Sequence, residues 1–172
     1  ILMTLFPRER WAALENSGIQ VNFPFFLAPM VGLSHVALRE TLRSYTPEGA
    51  KSLVFTEMLS SRRLSAERVG DRPETRHTAE ETNLVPQLLA NEERFIEIAL
   101  EKLEAMRPAA IDINMGCPVD KALKHNWGVA LMGDPKYAEE VVRATVRHST
   151  RPVSVKLRTG LKDDPDYLLD FA

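Results

Sequence analysis

Short apolar runs alternate with amphipathic helical patterns along most of this chain, and the alternation limits the folds that it can adopt. The runs are FFLAPM (25–30), SLVFTEM (52–58), LVPQLLA (84–90), AAIDINMGC (109–117) and PVSVKLR (152–158). Their shortness and nearly continuous hydrophobicity are typical of parallel strands covered on both faces. A β-α-β-α order calls for a parallel sheet with right-handed crossovers. A doubly wound open sheet and a (β/α)8 barrel both satisfy this requirement.

Helix-start signals between the runs support this reading. Ser34, Asn91 and Asp134 each precede a stretch with helical spacing, and a proline follows Asp134 in the first turn. The polar, arginine-rich stretch 59–83 predicts a long loop with a helical turn near 62–68. The first helix is predicted to bury one face, formed by Leu38, Leu42 and Tyr45. The second is predicted to bury Phe95, Ile96, Ala99, Leu100 and Leu103, and the third Ala138, Val141, Val142 and Thr145.

Composition narrows the functional classes. The net charge of −2 argues against a wholly basic nucleic-acid binder but leaves a local basic patch open. A single cysteine cannot form an internal disulfide, which fits a reducing compartment. The N-terminal segment contains no long apolar run, so we predict no membrane span and a cytoplasmic location. His35 and His77 have no metal-type partners at useful spacing, so no metal site is expected.

Polar residues stand at or near the C-terminal ends of four apolar runs: Glu57, Gln87, Asn114 with Cys117, and Lys156. A barrel would gather them at its C-terminal mouth, whereas an open sheet would concentrate ligand contacts at one crevice. The spread over four runs therefore favours the barrel. No GxGxxG motif follows any run. The predicted fold class is α/β, a (β/α)8 TIM barrel of which about the first five β/α units are present.

Each of these residues also has a structural interpretation. Cys117 could be an ordinary packed thiol, and Glu57 could form an ion pair with Arg62 or Arg63. Lys156 could reach water from the strand end. A lysine inside an otherwise apolar strand is costly to bury, however, and an anionic ligand is an equal alternative.

The segments LAPMVGLSHVALR, TEM, VPQLLA, IDINMGCPVDKALKHNWGVALMGDP and VSVKLRTG resemble, in this order, the tRNA-dihydrouridine synthase family. The resemblance runs from about residue 25 to residue 161. It implies an FMN-dependent TIM-barrel enzyme that reduces the C5=C6 bond of particular uridines in tRNA, with NADPH as the reductant. It further implies an N-terminal extension at 1–24 and a partial FMN-binding barrel at 25–172, followed in the family by a helical tRNA-binding domain.

The resemblance implies a cofactor site at the strand ends. Pro29, Met30 and Val31 would form the loop under the flavin ring. Gln87 and Lys156 would hydrogen-bond to the flavin. A lysine in such a place would stabilise the negative charge of the reduced ring.

On the substrate side, the resemblance implies that Asn114 holds a flipped-in uracil and that Cys117 is the general acid. The acid would protonate C5 after hydride reaches C6, because proton transfer to carbon needs a donor placed within reach. Glu57, Lys121 and Arg158 are also assigned to substrate binding. For Lys121, which lies in a basic loop segment, a solvated surface is the alternative to a phosphate contact.

The sequence differs from the usual pattern of the family most clearly at Asn126 and Trp127, where the family often has small residues. The substrate-facing loop is therefore expected to have a different shape, and Trp127 could either stack on RNA or pack internally. Because a full barrel takes about 250 residues, we expect a longer native protein and little FMN binding or turnover from these 172 residues alone.

Two alternatives remain open at this point. One is another FMN-dependent barrel oxidoreductase that acts on a small molecule, of the dihydroorotate dehydrogenase or enoate reductase type. The other is a non-catalytic, truncated remnant. The modified tRNA position, the choice between NADPH and NADH and the oligomeric state are not determined by the sequence.

Overall fold

One parallel sheet organises the chain. The computed structural model describes residues 16–159 and 165–172, without the side chains of residues 121, 122 and 165. Within this part the sheet has four strands in the order β1-β2-β3-β4. They are β1 (Val54–Ser60), β2 (Leu84–Leu89), β3 (Ile111–Met115) and β4 (Val153–Leu157). Each strand pairs with the next one in sequence, so the strand order does not reverse among the described strands.

Helices precede, connect and follow the strands. They are α1 (Val36–Tyr45), α2 (Ser61–Ala66), α3 (Glu93–Leu103), α4 (Asp120–Lys124), α5 (Val129–Met132), α6 (Pro135–His148) and α7 (Pro165–Phe171), with a 3-10 turn at Glu104–Met106. Both α2 and α6 pack against α3. In the described part, no helix combines the length and apolar character that crossing a membrane would require.

The main core lies where α3 and α6 meet the sheet. Every residue of β2 and β3 is buried, which confirms that these strands are covered on both faces. The buried face of α3 is Ile96, Ala99, Leu100 and Leu103, and that of α6 includes Ala138, Val141 and Ala144. Asp134 caps α6 as predicted by accepting a hydrogen bond from the backbone N–H of Tyr137 at 3.1 Å. Each large apolar side chain buried here contributes roughly 1.5–3 kcal/mol.

A smaller apolar cluster closes the N-terminal ends of the strands. Ile19 and Val21, which precede the sheet in sequence, pack with Leu53, Val85 and Ala110. The opposite, C-terminal ends of the strands carry the polar side chains.

The predicted strand at 25–30 is wrong. Only Leu27 forms a bridge, with Val54 of β1. Pro24 precedes the segment and Pro29 lies within it, and neither has a backbone N–H with which to extend the ladder. The two phenylalanines before Leu27 are 58% and 42% exposed. The described part therefore contains four strands of the five that the sequence predicts.

The predicted buried face of α1 is also wrong. Leu42 and Tyr45 are 39% and 82% exposed, whereas Arg39 is fully buried. The N-cap is His35, and the Ser34 hydroxyl is engaged with the backbone of residue 30 instead. The predicted helical turn in the long loop after β1 is confirmed as α2.

The buried arginine of α1 ties this helix to the loop before β2. Arg39 Nε donates to Glu81 Oε1 at 2.6 Å, and both side chains are fully buried. The remaining guanidinium nitrogens donate to the backbone carbonyls of Ser34 and Arg76 at 2.9 and 2.7 Å. All of these bonds would be lost together if the guanidinium were removed.

We predict that Arg39→Ala destabilises the native gene product by about 3–5 kcal/mol, because it leaves the buried Glu81 carboxylate without its partner. Urea denaturation measures the effect. Arg143→Ala is the matched control, since it removes a helical arginine whose pair with Glu139 is exposed on both sides. The control should lose less than about 1 kcal/mol, and equal losses in the two variants would contradict the prediction.

Candidate active site

A chain of side-chain hydrogen bonds crosses the sheet from β4 to β2. Ser154 Oγ donates to Asp112 Oδ1 at 2.7 Å, and Gln87 Nε2 donates to Asp112 Oδ2 at 2.6 Å. Asn114 Nδ2 then donates to Gln87 Oε1 at 2.8 Å. The pairing register brings these groups together, because Asp112 lies opposite both Gln87 and Ser154. The buried polar groups in the middle of the sheet are thus partnered, as burial requires.

The end of this hydrogen-bonded chain fixes the loop after β3. Asn114 Oδ1 accepts from the backbone N–H groups of Gly116 and Cys117 at 3.1 and 2.9 Å. An asparagine oxygen that bonds to backbone two and three residues ahead forms a tight turn. The half-buried, free thiol of Cys117 is consequently set by the same side chain that ends the strand.

A cavity of about 240 Å³ lies at these strand ends. Six residues that the sequence singled out line it: Pro29, Val31, Gln87, Asn114, Cys117 and Lys156. Met58, Gly116 and Val119 complete the lining. Lys156, which lies opposite Asn114 in the register of β4, brings a positive charge to one side. The cavity therefore combines amide groups, a thiol, an ammonium group and an apolar floor.

A second cavity of about 580 Å³ adjoins the first, since Val31, Met58 and Val119 line both. Glu57 lines this second cavity and not the first. Its Oε2 accepts from the backbone N–H of Gly32 at 2.6 Å, which joins β1 to the loop at 29–33.

The ion pair suggested for Glu57 is not formed. Arg62 pairs with Glu92 at 2.6 Å, and Arg63 pairs with Glu67 at 3.1 Å. The glycine N–H is the nearer partner because β1 delivers Glu57 directly beneath the loop.

Two other predicted residues, Met30 and Arg158, lie outside both cavity linings. Met30 belongs to the loop beside the first cavity, and its backbone N–H donates to Ser34 Oγ at 2.8 Å. Arg158 Nε donates to the carbonyl of Gly116 at 2.6 Å, so it braces the Cys117 loop. The backbone of Lys121 is in α4, but its side chain lies outside the described part.

Residues 125–129 lie next to Cys117. The sequence alone did not decide whether Trp127, in this segment, packs internally or stacks on RNA. Trp127 is only 4% exposed and packs with Leu89, and Met58 and Cys117 pack against this pair. The backbone N–H of Val129 donates to the Cys117 carbonyl at 3.0 Å.

The same segment is attached to the helical layer. Asn91 Nδ2 donates to the His125 carbonyl at 2.9 Å, and the Tyr137 hydroxyl of α6 donates to the Asn91 carbonyl at 2.8 Å. No periodic or motif signal in the sequence marks these tertiary contacts.

Comparison with known proteins agrees with this arrangement. The sequence model of the family described as Dihydrouridine synthase (Dus) matches residues 26–172, including every residue that lines the first cavity. The chain belongs to the dihydrouridine synthase family.

Relatives in the dihydrouridine synthase family cover the chain almost throughout. The "Probable tRNA-dihydrouridine synthase 1" of Synechocystis sp. is 29% identical over 94% of this chain and 45% of the relative. The "Probable tRNA-dihydrouridine synthase" of Rhizobium leguminosarum bv. phaseoli is 37% identical over 85% and 44%. The "tRNA-dihydrouridine synthase B" of Shewanella oneidensis is 32% identical over 82% and 42%. The chain thus spans less than half the length of these relatives.

In this family member, burial raises the pKa of the Asp112 carboxyl. The hydrogen bonds from Gln87 and Ser154 and the charge of Lys156 oppose the rise without cancelling it. Among residues 16–159 and 165–172, no three His, Cys, Asp or Glu side chains are grouped so that they could hold a metal ion.

Because the pKa of Asp112 is raised in the folded state, its contribution to stability is complete below the ordinary carboxyl pKa and is lost as pH rises through the raised value. We therefore predict that wild type loses stability relative to Asp112→Asn as pH rises above about 4, the ordinary carboxyl pKa. The asparagine can still accept from Gln87 and donate to Ser154. Urea denaturation of both proteins across this range gives the difference.

Glu104→Gln is the control, because its stability difference from wild type should change with pH in the opposite direction. Hydrogen bonds from Arg151 and Thr150 lower the pKa of Glu104, so wild type should gain stability relative to this variant as pH rises. If the two difference curves ran in parallel, the assignment for Asp112 would be wrong.

Proposed function

We propose that this chain supplies the flavin-ring and uracil-binding part of an enzyme that reduces uridine in tRNA to dihydrouridine. The relatives' names support the substrate class. The observation that carries the proposal is the single cavity that joins Gln87, Asn114, Cys117 and Lys156 at neighbouring strand ends. Strand ends of this kind are where parallel α/β folds bind ligands.

The cavity residues suit the ring of FMN. The Gln87 amide uses one N–H and one lone pair within the hydrogen-bonded chain, which leaves one donor and one acceptor for the polar edge of a flavin. The Lys156 ammonium group offers positive charge to the reduced ring. Pro29, Met30 and Val31 would support the ring from below. When bound, FMN would supply hydride to the uracil and receive its electrons from NADPH.

The chain's own acid is Cys117. Its S–H bond would break as the uracil C5–H bond forms, and solvent would return the proton to the sulfur afterwards. Asn114 has one N–H left for a uracil carbonyl, because Oδ1 is fully used by the loop and one Nδ2 hydrogen by Gln87. The asparagine would therefore bind the base and hold the acid at the same time.

Three further residues complete the proposed substrate side. Glu57 would contribute through the adjoining cavity, Arg158 by bracing the loop at Gly116, and Lys121 through the phosphate backbone of RNA. The tRNA-modifying role would place the enzyme in the cytoplasm.

We also propose that the sheet is a sector of a (β/α)8 barrel that begins near residue 25, after an extension at 1–24. Doubly wound sheets reverse their strand order at the point where ligands bind. The four described strands instead proceed in one direction, and their polar ends meet one cavity without such a reversal. This order supports a barrel wall.

The experiment uses the native gene product that contains this chain. We expect flavin absorption bands that bleach with NADPH and return on addition of unmodified tRNA, with dihydrouridine detected by mass spectrometry of the digested tRNA. Cys117→Ala should lower the rate of tRNA-dependent reoxidation by about 10²–10⁴-fold, the usual contribution of a general acid. Its flavin content and NADPH bleaching should match wild type.

Lys156→Met is the contrasting variant, because it should lower flavin content or the rate of bleaching while leaving the thiol in place. Reoxidation by a small alkene or free pyrimidine but not by tRNA would contradict the proposed substrate. Equal tRNA-dependent rates in wild type and Cys117→Ala would exclude the proposed acid.

A further inference from the structure

We propose that Trp127, Gly128 and Val129 form a backing wall that holds the Cys117 thiol in the orientation that proton transfer needs. Trp127 is then a positioning residue for the reaction. This inference rests on the proposed function, because it assigns the wall a purpose only if Cys117 is the acid.

The burial of Trp127 is unusual for its surroundings. The four residues before it, 123–126, are all exposed, whereas the indole is 96% buried against Leu89 at the end of β2. Met58 and Cys117 pack against the same pair. An exposed segment is therefore anchored to the sheet by one ring, and the cysteine packs against the pair that this ring forms with Leu89.

Gly128 brings the wall into direct contact with the cysteine backbone. Its backbone φ angle is +59°, a conformation that residues other than glycine rarely adopt. A Cβ at this position would lie 2.5 Å from the Cys117 carbonyl oxygen and 3.0 Å from the Cys117 Cβ. Only a glycine allows the two segments to approach so closely.

The cysteine is consequently held on both sides of its own Cα. Asn114 Oδ1 accepts from its N–H, and the Val129 N–H donates to its carbonyl. The backbone is thus fixed at both ends, the Leu89–Trp127 pair packs beside the residue, and Cys117 also lines the 240 Å³ cavity. Such support determines whether a reacting group is aligned with its target.

Shape is the property of Trp127 that matters here. In the described part its Nε1–H is buried and has no hydrogen-bond partner, so the indole contributes contact area rather than a polar interaction. The ring of His125 lies against it with centroids 4.7 Å apart. A phenylalanine should therefore replace Trp127 with little loss, and the burial argues against RNA stacking as its role.

The test uses the native gene product and two measurements. The first is the rate of iodoacetamide alkylation at Cys117, followed by mass spectrometry of its peptide. The second is tRNA-dependent flavin reoxidation, resolved into its maximal rate and the half-saturating tRNA concentration. The variants are Trp127→Ala, Trp127→Phe and the control Leu123→Ala, which truncates an exposed apolar residue four positions earlier, in α4.

Trp127→Ala should change the alkylation rate several-fold and lower the maximal reoxidation rate about 10–100-fold, because the thiol is no longer aligned. The half-saturating tRNA concentration should stay within about twofold. Trp127→Phe and Leu123→Ala should resemble wild type in both measurements. In a Cys117→Ala background, Trp127→Ala should have no additional effect on reoxidation, since the ring acts through the thiol.

Three results would contradict the proposed role of Trp127. They are an alkylation rate in Trp127→Ala equal to that in Leu123→Ala, a reoxidation rate in Trp127→Phe as low as that in Trp127→Ala, and additive effects on reoxidation in the Cys117→Ala background. If Trp127→Ala does not fold, as judged by circular dichroism, Trp127→Leu replaces it, because leucine keeps the apolar contact with Leu89. Failure of the wild type to be reoxidised by tRNA would instead refute the proposed function, and the alkylation rates would not depend on that outcome.

Discussion

The hydrogen bonds that join Ser154, Asp112, Gln87 and Asn114 are the constraint on which the rest of this structure depends. They cross three neighbouring strands in the middle of a largely apolar sheet. A one-residue slip of any strand would turn its polar side chain to the other face and leave its partners unsatisfied, at about 1–3 kcal/mol for each buried group. The network therefore sets the strand register, and through Asn114 it sets the loop that carries the thiol.

Much of the architecture follows from local sequence signals. The apolar spacing of α3 and the Asp134–Pro135 start of α6 were predictable because capping and helical periodicity are short-range effects. The buried strands β2 and β3 were equally clear from their continuous hydrophobicity. Among the site residues, the polar groups at strand ends were identifiable because buried polar groups need partners or ligands.

The remainder depended on contacts between residues far apart in sequence. Arg39 is buried because Glu81 reaches it from a loop 42 positions away, which no helical pattern indicates. The segment at 25–30 has the composition of a strand, yet Pro24 before it and Pro29 within it prevent the ladder from extending. In the sequence, Asp112 is one polar residue in an apolar run. Its central position in the hydrogen-bonded chain depends on the strand register, which puts it between Gln87 and Ser154.

The attachment of Asn91 to His125 and Tyr137 links the outer helices to the cavity. From the first turn of α6, a path of two hydrogen bonds leads to His125, two residues before Trp127, whose pair with Leu89 packs against Cys117. A displacement of the first turn of α6 is therefore transmitted through Asn91 to the segment that supports the Cys117 backbone.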